Sequence, residues 1–141
     1  MTNFKGKRIL ITGASRGVGF EASKLFLKAG AHVIGTGRDE TRLKATTAIL
    51  QQLGDFTPLL ADFDEAKAPA AVADAVQAKW DSLDMLLNNA AVQTYKSDWM
   101  EEGLHLLNDQ WRCNVFAQHE LIFRLQNLLK AGSEPRVVNV S

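Results

Sequence analysis

The run Ile9-Leu10-Ile11-Thr12-Gly13-Ala14-Ser15-Arg16-Gly17-Val18-Gly19 constrains this chain more than any other stretch. Its apolar opening reads as a buried strand, its glycines as a tight turn, and the residues after them as a helix. Gly13 permits a sharp exit from the strand, Gly17 lets main-chain amides approach an anion, and Gly19 lets the new helix lie close to the sheet. A pyrophosphate seated there would meet free N–H groups and the positive end of the helix dipole. Gly13, Ser15, Arg16, Gly17, Val18 and Gly19 are therefore the candidate dinucleotide-binding residues of the first turn. Apolar Val18, Ala22, Leu25 and Ala29 recur at helical spacing, and this stripe is expected to face the sheet.

The rest of the chain repeats the alternation. Residues 7–12, 31–37, 56–61, 83–88 and 136–140 read as strands. The helix after the second strand carries Leu43, Thr46, Leu50 and Leu53 inward, and the one after the third carries Val72, Val76 and Trp80, with Pro69 in its first turn. A polar loop and a short helix are expected over about residues 93–107. Trp111, Val115, Gln118, Ile122, Leu125 and Leu129 then step by four and three along a long helix, with Asn108 placed to cap it and Gly132 to end it. Strands alternating with helices imply right-handed crossovers and a parallel sheet. The expected fold is a single α/β domain over residues 1–141, a Rossmann-type doubly wound sheet of order 3-2-1-4-5. Its switch point, between strands one and four, brings residues 13–19 and 88–91 to one crevice.

Composition excludes other classes. Sixteen basic residues balance sixteen acidic ones, so no global field recruits nucleic acid or an anionic membrane. No apolar run reaches membrane length and no leader pattern opens the chain, so a cytoplasmic location is expected. The lone Cys113 has no internal disulfide partner and reads as a small packed side chain. His32, His105 and His119 are too dispersed for a metal site, and none is expected. The Glu101-Glu102 pair reads as a solvated helix face, and Trp99, Met100 and Trp111 as core rather than pocket.

Four motifs, in order and on the expected elements, resemble those of short-chain dehydrogenases/reductases. Thr12-Gly13-Ala14-Ser15-Arg16-Gly17-Val18-Gly19 is similar to their cofactor signature, and Asn88-Asn89-Ala90-Ala91 to their Asn-Asn-Ala-Gly motif. Asn114 matches the family's structural and catalytic asparagine, and residues 136–141 match the strand leading to its catalytic serine. Residues 110–141 most resemble the retinol-dehydrogenase-like branch, which names no substrate. The resemblance implies that Ser15 and Arg16 bond phosphate oxygens, that Asp62 accepts from the adenine amino group, and that Phe63 packs nearby. It implies too that Asn89, Ala90 and Ala91 pass close to the adenine-side ribose and the nicotinamide half. Ala91 departs from the family's usual glycine.

Cofactor choice follows from charge. An NAD site places a carboxylate at the end of strand two, whereas an NADP site needs cations for the 2′-phosphate. Here Gly37 stands in the acid's place and Arg38 follows it, while Arg16 adds a second guanidinium at a helix N-terminus. NADP(H) is therefore expected over NAD(H). Hydride transfer in the family uses a tyrosine as acid/base with a lysine four residues on. The only tyrosine, Tyr95, is followed by Lys96 and has Trp99 at that spacing. Ser141 aligns with the serine before the catalytic one, so Asn114 is the only tetrad member present, and a plain hydrogen-bonded asparagine is an equal reading of it. The resemblance thus implies the NADP-binding portion of a carbonyl/alcohol oxidoreductase, truncated after the fifth strand, inactive alone, with that strand an uncovered apolar edge. The intact enzyme would take a small carbonyl or alcohol, and assembly as a homo-oligomer is left open. A non-catalytic NADP-binding or interaction module derived from such an enzyme is the alternative.

Overall fold

A computed structural model describes residues 3–92 and 99–141, with residues 99–102 taken by backbone alone. Five parallel strands form one sheet in the order β3-β2-β1-β4-β5, as expected. They are β1 (Arg8–Ile11), β2 (His32–Gly37), β3 (Phe56–Leu60), β4 (Met85–Asn88) and β5 (Arg136–Asn139). Ile9 pairs with Val33 on one side and Met85 on the other, so β1 and β4 carry their C-terminal turns to the same end of the sheet. The period of two along each strand separates two cores. Leu10, Ile34 and Leu86 pack under α3 (Ala68–Lys79) and the last helix, α5 (Ala117–Ala131). Ile9, Ile11, Val33, Met85 and Leu87 pack on the other face, under α1 (Gly17–Lys28) and α2 (Glu40–Leu50).

The inner face of α1 differs from the expected stripe. Val18 and Leu25 are 61% and 69% exposed, and Ala29 is exposed as well. Gly19, Ser23 and Leu27 face the sheet instead, flanked by partly buried Phe20, Ala22 and Phe26. The reason is proximity: a Cβ on Gly19 would lie 2.1 Å from the Gly13 carbonyl oxygen. Only the smallest side chains fit where the helix crosses the turn it springs from, and Ser23 satisfies its hydroxyl by donating to the Gly19 carbonyl at 2.7 Å. Gly30, at φ +84°, closes the helix end, its N–H donating to the Leu27 carbonyl while that of Ala31 reaches Phe26.

A second difference concerns the long helix. α4 (Trp99–Trp111) runs through a π-helical turn, Arg112–Phe116, straight into α5, so Asn108 lies inside a helix and caps nothing. The Ala117 N–H donates to the Arg112 carbonyl, five residues back. That wider turn shifts the phase of the inward face. Cys113, Ala117, Leu121, Leu125 and Leu129 are buried, Ile122 is partly buried, and Trp111 is turned out to 48% exposure. The expected stripe therefore holds over the C-terminal half alone. β5 is exposed along its whole length, Val137 and Val138 included. Among the described residues no helix is long and apolar enough to cross a membrane.

The strand N-termini, opposite the crevice, are tied together by Asp84. Its carboxylate accepts from the Arg8 N–H at 2.9 Å and from the Ser133 N–H and hydroxyl at 3.1 and 3.0 Å, with Lys7 at 3.7 Å. Burial alone would raise this carboxyl's pKa, but those donors and the Lys7 charge outweigh it and hold it below the ordinary 3.8. A depressed folded pKa contributes stability that is whole above the unfolded value and is lost as pH falls through the folded one. Asp84→Asn should therefore cost about 1 kcal/mol in urea unfolding at pH 7. The gap to the unmodified protein should close below pH 4; a gap independent of pH would contradict this role.

Candidate nucleotide site

The turn after β1 is built from both neighbours. Gly13 and Gly17 adopt φ of +68° and +56°, the left-handed region that an L side chain strains to enter. Thr36 on β2 fixes the start of the turn: its hydroxyl accepts from the Gly13 N–H at 3.1 Å, and its carbonyl accepts from Ala14 at 2.7 Å. Thr46 on α2 holds the next residue, donating to the Ser15 carbonyl at 3.1 Å. Across the switch point, the buried Thr12 hydroxyl accepts from the N–H groups of both Asn89 and Ala90 at 2.9 Å. Asn89 answers with its side-chain amide, which donates to the carbonyls of Thr12 and Gly13 at 3.1 Å each. The turns after β1 and β4 are thus pinned to one another before anything binds.

Thr12→Val keeps the shape of the residue while leaving two part-buried donors unpaired. At about 1–3 kcal/mol for an unsatisfied donor, it should lower unfolding free energy by about 2 kcal/mol or more. Chemical denaturation checks this, and a loss below about 0.5 kcal/mol would mean that water replaces the hydroxyl.

These turns wall a cleft of about 240 Å³ lined by Gly13, Ser15, Arg16, Gly17, Arg38, Asp62, Phe63, Asn89, Ala90 and Ala91. Of the candidate nucleotide-contact residues named from the sequence, Val18 and Gly19 alone stand off this wall, Val18 outward and Gly19 beneath the turn. Thr36, Arg42, Val92 and Cys113 also line the cleft and were not anticipated there. Arg42 had a legible signal: Asp39 caps α2 by accepting from the Arg42 N–H at 2.8 Å, which sets Arg42 one helical turn beyond Arg38.

The electrostatics of the cleft favour an anion. Arg16, Arg38 and Arg42 bring three guanidiniums to it. The N-terminus of α1 carries no side-chain cap and no acidic residue in its first turn, whereas α2 has both Asp39 and Glu40. Its dipole and amides are therefore unspent. At the end of β2, a Cβ on Gly37 would lie 3.1 Å from the Ser15 side chain, so a carboxylate there would crowd the turn. Asp62, half-buried at the end of β3, uses Oδ1 to accept from the Asp64 N–H at 3.1 Å. Phe63 is 5% exposed and packs mostly into the core beneath α3 and α5.

A family model of short chain dehydrogenases matches residues 7–141. The chain belongs to that family. It is 41% identical over 93 residues to the short chain dehydrogenase/reductase dpmpG of Macrophomina phaseolina, a match covering 64% of this chain and 53% of that protein. A metagenomic short-chain oxidoreductase solved in complex with NADP superposes with a TM-score of 0.89 at 26% identity, covering 99% of this chain and 63% of that one. Pseudomonas aeruginosa RhlG, solved with NADP, gives 0.82 at 27% identity, over 97% of this chain and 56% of that one. This short-chain dehydrogenase chain thus spans about half the length of the curated relative it matches.

Asn114 sits in the π-helical turn, and both ends of its side-chain amide bond one residue. Its Oδ1 accepts from the Val92 N–H at 2.8 Å and its Nδ2 donates to the Val92 carbonyl at 2.9 Å. It therefore clamps the strand of chain leaving Ala91 along the cleft wall. Cys113 lies beside it, its thiol pushed up to about 11 by burial and by the carboxylates of Asp64 and Asp62. A thiol so protonated at neutral pH is a packed, unreactive group. Tyr95 and Lys96 lie outside the described residues.

Proposed function

We propose that this chain is the NADP(H)-binding portion of a short-chain dehydrogenase/reductase acting between small alcohols and carbonyl compounds. One observation carries the reading: three guanidiniums and an uncapped helix N-terminus converge on one cleft, beside a glycine where an NAD site wants an acid. The residues fit a 2′-phosphorylated dinucleotide. The amides at the start of α1, with Ser15, would take the pyrophosphate, and Arg38 and Arg42 the 2′-phosphate. Asp62, with one carboxylate oxygen uncommitted to the Asp64 turn, would accept from the adenine amino group. Asn89, Ala90 and Ala91, held by Thr12 and continued by the Asn114 clamp on Val92, would guide the nicotinamide half. The nicotinamide, when bound, supplies or accepts the hydride. NADP in two similar structures supports this cofactor.

The acid/base step lies outside what these residues offer. The 141 residues hold one tyrosine, Tyr95, and four positions on is Trp99 rather than lysine. Asn114, paired through its amide with the Val92 backbone, serves to position the chain that follows Ala91. The chain by itself therefore binds nucleotide without turnover. Titration with NADPH and NADH, followed by calorimetry, tests the reading. NADPH should bind at least about tenfold tighter, the worth of one charge-assisted phosphate contact. Equal affinities would overturn it.

A further inference from the structure

The three guanidiniums of the cleft are not equivalent. Among the described residues, Arg38 alone of them has a carboxylate partner, its guanidinium lying 3.7 Å from Oδ2 of Asp64. That separation is a charge contact without a hydrogen bond. Asp64 is placed by the backbone rather than by the pair, because its N–H is held by Asp62 and its own carbonyl accepts from Arg112 at 2.9 Å. Its second carboxylate oxygen, Oδ1, is buried with no hydrogen-bond partner among the described residues.

The charged groups around Asp64 pull in opposite directions. Asp62 and Asp109 face it with like charge, Arg38 and Arg112 with opposite charge, and the neutral Cys113 thiol lies close by. Burial first, then the two carboxylates, push the Asp64 carboxyl above its ordinary range in spite of the two guanidiniums. A dianionic phosphate arriving at Arg38 would add a further negative neighbour to a carboxylate that already has an orphaned oxygen. The two anions cannot share one guanidinium at full strength.

Resting on the nucleotide reading above, we propose that Asp64 is a competing counter-ion. It occupies Arg38 before a nucleotide binds and so sets how far the cleft prefers 2′-phosphorylated adenosine over the unphosphorylated form. It acts through Arg38 and is a positioning residue, absent from the cleft lining itself. Removing its charge frees Arg38 for the phosphate; removing Arg38 makes Asp64 irrelevant to the choice.

The experiment titrates the full chain with adenosine 2′,5′-bisphosphate and with 5′-AMP at fixed ionic strength and pH 7.5, after a thermal melt has shown each variant folded. Asp64→Asn should tighten the bisphosphate about three- to fivefold, the upper range of a partly exposed ion pair, and leave AMP within about twofold. Asp64→Glu, which keeps the charge, should restore the original ratio. In an Arg38→Gln background the Asp64→Asn effect should vanish. Should Asp64→Asn fail to fold, Asp64→Ser takes the same measurement. An unchanged ratio, or a bisphosphate bound more weakly, would overturn the proposal while leaving the nucleotide reading intact. If the unmodified chain shows no preference for the bisphosphate over AMP, the nucleotide reading fails first and this one with it.

Discussion

Gly19→Ala should cost about 3 kcal/mol of stability and abolish measurable nucleotide binding. The added methyl would sit 2.1 Å from the Gly13 carbonyl oxygen and 2.6 Å from the Asn89 side-chain amide, both fixed parts of the site. Neither can give way locally, since Gly13 is held by Thr36 and Asn89 by its two bonds to the first turn. Relief requires α1 to lift off the sheet, which exposes Leu27 and carries the helix N-terminus away from the cleft. A small substitution thus becomes a loss of both core and site. Gly17→Ala is the matched control, because a Cβ there meets nothing within 4 Å and the cost is limited to its φ of +56°. It should lose about 1 kcal/mol, the range for an ordinary residue in the left-handed region. Urea unfolding and calorimetry on the two variants separate these outcomes. Equal losses would show that conformation, not contact, governs the turn.

Replacing Arg38 and Arg42 together by Gln should erase the preference for the 2′-phosphate. Each guanidinium–phosphate contact is worth about 1.5–3 kcal/mol, discounted here because Arg38 is half exposed. The pair should then account for about 2–4 kcal/mol, roughly 30- to 1000-fold in NADPH affinity. NADH affinity should stay within about threefold, since neither side chain is needed for the unphosphorylated ribose. The single variants distinguish the two arginines. Arg42, with no carboxylate partner among the described residues, should show the larger loss, and Arg38, already countered by Asp64, the smaller. A double variant that weakens both cofactors equally would place these arginines on the pyrophosphate instead.

What the amino-acid sequence determined by itself is what depends on local spacing. Strand, turn and helix follow one another at fixed intervals, so the parallel sheet, its order and the crevice between β1 and β4 were all legible. So were Gly13, Ser15, Arg16, Asp62 and the 89–91 stretch as its lining. The tertiary structure decided what depends on distance between segments. Apolarity along α1 pointed to Val18 and Leu25, but the face that meets the sheet is chosen by lack of volume, because the helix must cross its own turn at Gly19. The π-helical turn at Arg112–Phe116 added a residue to one turn and rotated Trp111 outward, a phase shift invisible to a regular period. Asp64 and Arg38 lie on the turns after different strands, and only the adjacency of β2 and β3 in the sheet brings that carboxylate to the Arg38 guanidinium. Periodicity reports which residues share a surface, whereas charge pairing and close packing are properties of the space between surfaces.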